Sequence, residues 1–174
     1  MMRYRTGVFL AGVMLGMAAL PPAPALADDI RFDASLTQRC LGAGGGRSCI
    51  GQAAERCMEE SPGGFSTYMS NMCLDAERAW WDGQLNARYR DLRAFEQQGD
   101  SEAARDPYAA PGRPSGADSL RDMQRAWIAF RDATCDYEIV AWHGGTGASG
   151  VYLYCQMRMT GEQTIVLSDY LGDQ

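Results

Sequence analysis

The sequence predicts an all-α fold: a small disulfide-bonded helical bundle built on a long antiparallel helix pair. Three observations predict it. Apolar residues recur every three or four positions through two long stretches, 66–98 and 117–141. No segment sustains an alternation of apolar and polar residues, although Val151, Tyr152, Leu153 and Tyr154 read as briefly extended. All six cysteines follow an N-terminal segment of export type, and an even number of cysteines in an exported chain implies three disulfides.

The export reading rests on Arg3 and Arg5 ahead of an apolar run from Gly7 to Leu20, with Ala25-Leu26-Ala27 as a cleavage site. Cleavage near Ala27 makes 1–27 a signal peptide and leaves 28–174 as one periplasmic or secreted domain. The apolar run is short for a bilayer span and runs into Pro21 to Pro24, so no membrane anchor is expected. Of the 16 basic residues two fall in this segment, and none of the 22 acidic ones does, so the formal charge changes from −6 to −8 on cleavage. That acidity argues against nucleic acid as a partner and favours faster encounter with a cationic one. Every basic residue is arginine.

Along the exported part, Ser35 to Glu60 reads as two short helices joined by the turn Gly42 to Gly46. Ser35 with Gln38 forms a capping box, and Ser48 caps the second helix. Pro62-Gly63-Gly64 interrupts the pattern. From Ser66 to about Gln98 the helical repeat is carried by Met69, Cys73, Trp80, Trp81, Leu85, Tyr89, Leu92 and Phe95. Residues 98–116 gather Gly, Pro, Asp and Ser and read as a surface loop. A second long helix, about Ala117 to Ala141, carries Leu120, Met123, Trp127, Phe130 or Arg131, Thr134 and Glu138 on its inner face. The glycines from His143 to Gly150 oppose helix. Thr160 with Gln163 is a second capping box, so a last helix runs from Gly161 to Leu171 and buries Ile165, Leu167 or Leu171.

Chemical constellations are sparse. Zinc would need ligand spacings the chain lacks, with no Cys-x-x-Cys and one histidine, His143. The run Gly144 to Gly150 lacks the Lys-Ser/Thr of a phosphate loop. Cysteines committed to disulfides supply no thiol nucleophile, and a glycan hydrolase would need a carboxylate pair that no spacing singles out. No catalytic residue, metal or cofactor is expected, and the chain reads as a binding protein, not an enzyme.

Two stretches carry a recognisable pattern. Cys73 is followed by Asp82, Leu85, Asn86 and Tyr89, in the order Asp-x-x-Leu-Asn-x-x-Tyr. Gln124, Trp127, Arg131 and Cys135 follow as Gln-x-x-Trp-x-x-x-Arg-x-x-x-Cys. Together they resemble the LprI-like lysozyme-inhibitor domain family, over roughly Cys57 to Leu171. Trp81 stands where that pattern usually has leucine, Gln163 where it tends to have arginine, and the pair Cys40 and Cys49 is additional. The resemblance implies a helical exported domain whose partner is a cationic lysozyme-like enzyme, inhibited by direct docking. The alternative is a non-inhibitory cell-envelope module that binds another protein or a glycan.

Asp82, Asn86 and Tyr89 share one helix face by their spacing, as do Gln124, Trp127, Arg131 and Cys135. The two stripes are expected to face each other as scaffold, with Asp82 and Arg131 paired across the interface and Asn86 or Gln124 completing the hydrogen bonds. Cys135 is expected to bond Cys155, tying the long helix to the chain beyond the glycine turn. Cys57 with Cys73, and Cys40 with Cys49, each close a short glycine-containing segment. Partner-contacting residues are not assigned by the sequence.

Overall fold

The computed structural model describes residues 30–172; the expected signal peptide, 1–27, lies outside them. The fold is all helical: α1 (Ser35–Gly42), a 3-10 turn (Gly46–Cys49), α2 (Gln52–Glu60), α3 (Thr67–Ala103), α4 (Gly116–Ala141) and α5 (Ala148–Leu171). Disulfides join Cys40 to Cys49, Cys57 to Cys73 and Cys135 to Cys155, so α1 is tied to the 3-10 turn, α2 to α3 and α4 to α5.

α3 is the spine, 37 residues long and so about 55 Å at the helical rise. Ser66 caps it, its hydroxyl accepting from the Met69 amide at 3.3 Å. α4 returns antiparallel: Asp100 near the end of α3 binds the amides at the start of α4, and residues from Asp82 to Arg93 line one groove with Arg131 to Arg121. The most extensive packing of α3 is with α5, which runs parallel to it. Asn71 meets Ser149 at one end, Thr164 meets Trp81 midway, and Leu167 joins Leu85 and Leu92 further on. Three long helices therefore enclose the core where two and a short one were expected.

The core is continuous along α3. Near its start Ala54, Leu74, Trp81 and Met157 are buried together, with Ile50 and Trp80 against them. Further along, Leu85, Leu92, Leu120 and Leu167 pack with Tyr89 and Trp127. Trp81 is fully buried, and its ring meets that of Trp80 edge-on at 4.7 Å. Phe95, placed on the inner face by the periodicity, is 63% exposed, because the covered stripe of α3 continues from Leu92 through Glu96 and Gly99 instead.

Several sequence expectations are corrected at helix ends. α1 starts without help from the Ser35 side chain or Gln38; the Asp33 carboxylate accepts from the Ser35 amide at 2.8 Å. Ser48 does not cap α2, whose start is Gln52 after Gly51, a residue at φ +95°. α3 continues five residues past Gln98, to Ala103, so the loop is shorter than 98–116. α5 begins at Ala148, so Val151 to Tyr154 are helical and Thr160 and Gln163 sit in its interior. The reason is Gly161: it marks close packing, not a helix start. A Cβ there would lie 2.9 Å from Ile50 and 3.1 Å from the Trp81 ring. The turn between α4 and α5 is set by His143 at φ +59°, followed by Gly144 and Gly145 at +88° and +96°.

Candidate functional site

The motif residues of α3 and α4 line a shared groove of about 430 Å³, with Asp82, Leu85, Asn86 and Tyr89 on one wall and Gln124, Trp127 and Arg131 on the other. Leu85 is buried, and Tyr89 and Trp127 pack on the core beneath. Gln124 is buried, its Oε1 accepting from Gln163 Nε2 at 3.2 Å. Arg131 lies over the Trp127 ring at 5.0 Å, a cation–π geometry that holds its guanidinium along the groove floor.

The expected Asp82–Arg131 pair does not form. Arg131 instead pairs with its neighbour Asp132 at 2.8 Å and reaches Thr160 on α5 at 3.5 Å. Asp82 accepts from Asn86 Nδ2 at 3.0 Å, one turn along its own helix. α5 is the cause, because it offers Arg131 a buried hydroxyl. Partial burial opposes ionisation of Asp132, but hydrogen bonds from Gln156 and Arg131 and the guanidinium charge outweigh it, holding its carboxyl below the usual value. Asp132 thereby links α4 to α5 through Gln156, at 3.1 Å.

Three features take their role from the structure; among them Glu77, which the sequence offers with Asp75 and Asp82 beside Trp80 and Trp81 as a sugar-binding edge, is inside the fold and not on such an edge. Glu77 is fully buried on α3, accepting from the amides of Gly51 at 2.8 Å and Ala54 at 2.6 Å and from Trp81 Nε1 at 3.0 Å. Its carboxylate supplies the start of α2 with the cap that Ser48 does not. Secondly, Arg93, Arg121 and Arg125 edge the motif groove, with Arg121 paired to Asp118 and Asp122, so guanidinium groups gather there in an acidic chain. Only the spatial convergence of two helices reveals this. Thirdly, the loop between α3 and α4 holds Tyr108, 93% exposed, between Pro107 and Pro111.

That loop has a fixed base. The Asp100 carboxylate accepts from Ser115 Oγ at 2.7 Å, the Gly116 amide at 2.8 Å and the Ala117 amide at 3.1 Å. These three donors, in that order, with Arg113 nearby, lower its carboxyl from the ordinary 3.8 against a small opposing desolvation. At the tip, Asp106 accepts from the Tyr108 amide at 2.9 Å, forming a tight side-chain-to-backbone turn.

The geometry offers a rigid scaffold, an arginine-edged groove and a pinned loop with an aromatic tip. Among the described residues, no group of three or more His, Cys, Asp or Glu side chains could hold a metal ion. No helix among them is long and apolar enough to cross a membrane.

Comparison with known proteins places this architecture. The chain is 27% identical over 124 residues to an uncharacterised 17.7 kDa protein from the puhA 5' region of Rhodobacter capsulatus, covering 69% of this chain and 72% of that one. It is 29% identical over 101 residues to an uncharacterised protein of Rhizobium meliloti (strain 1021), covering 58% of this chain and 70% of that one. No solved structure matches it. The family model described as lysozyme inhibitor LprI matches residues 57–167, from the α2 cysteine through the buried Leu167 of α5. With the matched span covering both motif helices and two of the three disulfides, the chain belongs to the lysozyme inhibitor LprI family.

Proposed function

We propose that the protein is an exported binding protein that inhibits lysozyme-type muramidases by docking on them. The observation that carries this reading is the family match over 57–167. Three disulfides support action outside the cytoplasm, where such bonds persist. The charge of −8 on the exported chain favours encounter with a cationic enzyme. The loop 104–115 is the part whose shape suits entry into an enzyme cleft: its base is pinned by Asp100, three prolines restrict it, and Tyr108 stands out at the tip. A loop already held in one shape loses little freedom on binding.

The test mixes the purified exported chain, disulfides intact, with a chicken-type lysozyme and follows the clearing of cell-wall suspensions. Slowing that saturates with inhibitor is the expected result. Full lysis at large molar excess would remove the inhibitor reading and leave the alternative, an envelope module for another protein or a glycan. The Tyr108→Ala variant separates the loop from the rest: inhibition equal to wild type would leave docking standing and take the loop out of it.

A further inference from the structure

We infer that the outer face of α4 is a self-association surface, on which a second copy of this chain packs its own α4 in antiparallel register. The inference does not depend on the inhibitor reading. It begins with two residues that the periodicity put in the core and the structure puts outside. Phe130 is 63% exposed and Met123 36% exposed, the latter at the margin with its sulfur 3.5 Å from Gln163 of α5, because the inner face of α4 is instead the Leu120, Gln124, Trp127, Arg131 and Cys135 stripe.

The displaced residues belong to a second stripe. Met123, Ala126, Phe130, Ala133, Tyr137 and Val140 are all exposed, the last two at 70% each. Their spacing alternates three and four, the heptad pattern of helices that pair along a seam. At 3.6 residues per turn they fall within roughly 100° of arc and extend about 25 Å along the helix. Phe130 and Tyr137 alone offer roughly 250 Å² of exposed ring. The stripe as a whole approaches about 500 Å², at the upper end for an ordinary monomer. Two such stripes bury about 1,000 Å², which is enough for a specific but concentration-dependent dimer.

The order of sizes selects the occupant. Large side chains at Met123, Phe130 and Tyr137 alternate with smaller ones at Ala126, Ala133 and Val140. In an antiparallel pair centred between Arg131 and Asp132, Met123 meets the partner's Val140, Ala126 meets the partner's Tyr137, and Phe130 meets the partner's Ala133. Every layer then sets large against small, and each contact occurs twice about the two-fold axis, as a closed dimer requires. Parallel pairing in register would crowd Phe130 on Phe130 and leave Ala133 facing Ala133. Along one edge of the antiparallel seam, the exposed Arg125 comes near, two residues out of register, the partner's Asp136, of opposite charge.

Sedimentation of the exported chain across a range of concentrations tests this, with circular dichroism as the control for folding. Wild type is expected to pass from monomer to dimer, and Phe130→Arg, at a solvent-facing site, to stay helical and dissociate at least ten-fold more readily. Ala133→Phe adds apolar surface yet is expected to weaken the dimer, through a Phe–Phe clash, and the double variant Phe130→Ala with Ala133→Phe to restore it. A wild type monomeric at every concentration overturns the proposal, as does tighter association of Ala133→Phe, which would mean undirected stickiness. A monomeric wild type whose Phe130→Arg variant loses lysozyme inhibition also overturns it, and assigns the stripe to the muramidase.

Discussion

Glu77 holds together two elements that share no other polar link of comparable burial. Its two oxygens accept three N–H groups, two of them the otherwise unpaired amides at the start of α2 and the third from Trp81 in the core. A negative charge at a helix N-terminus is stabilised by the helix dipole as well as by the hydrogen bonds. Removing it strands buried donors, each costing about 1–3 kcal/mol. Glu77→Ala is therefore expected to destabilise the fold by about 3 kcal/mol or more, and Glu77→Gln by less because one acceptor survives. Urea denaturation followed by tryptophan fluorescence reads this as a lower midpoint at unchanged slope. At Gly161 the demand is space: Gly161→Val forces Ile50 and the Trp81 ring apart, for an expected loss of about 1–3 kcal/mol measured as a lower Tm. Neither role was legible in the sequence. A carboxylate in a helix reads as solvent-facing, and a glycine after a threonine reads as a helix start, until the packing partners from distant segments are in place.

At the scale of elements, the junction of α3, its loop and α4 depends on one ionised carboxylate. Asp100 accepts the Ser115 hydroxyl and the Gly116 and Ala117 amides, and those bonds favour its charged form. Its carboxyl is thus lowered from the ordinary 3.8 in the folded chain. A lowered acid stabilises the fold above its unfolded value, and that contribution is lost as pH falls from there through the folded value. The α4 start is expected to hold firm at neutral pH and to loosen only below about pH 4. In Asp100→Asn the amides of 115–117 are expected to exchange faster at neutral pH also. Amide hydrogen exchange checks both, and uniform protection of 115–117 in the variant would show that Asp100 is dispensable. The long helices α3 and α4 were legible because 3.6-residue periodicity over many turns is hard to mistake. Both ends of α4, the start of α3 and the end of α5 were legible to within a residue, with Ser66 and Ser115 capping locally; the start of α2 was not, since Glu77 caps it from a distant segment, nor was the end of α3. α5 was half-legible: its glycine-poor end was expected, whereas Gly150 and Gly161 hid the rest because each sits where another helix comes close.

Over the whole molecule, the three disulfides divide the work between a peripheral unit and the bundle. Cys135–Cys155 ties α4 to α5 across the His143 to Gly147 turn and is buried at both ends, beside Met159. Cys40–Cys49 spans nine residues and is buried at one end only, Cys49 being fully buried and Cys40 half-buried. In the chain-entropy model the two bonds differ little, at roughly 3 kcal/mol each. The structural difference lies in what opens when each is absent. Without Cys40–Cys49, α1 and the 3-10 turn can detach while α3, α4 and α5 keep their shared core, because stability is distributed over units that open separately. Without Cys135–Cys155, the freed α5 carries Met157 and Leu167 out of both halves of the core. Paired replacement by alanine at 40 and 49 is therefore expected to raise amide exchange within residues 35–50 and to leave the midpoint for the bundle nearly in place. The same replacement at 135 and 155 should lower the global urea midpoint by the full loss of about 3 kcal/mol. Equal global loss from both variants would show that the short N-terminal helices are part of the bundle's single cooperative unit, and Glu77, which links α2 to α3, is the contact that would make them so.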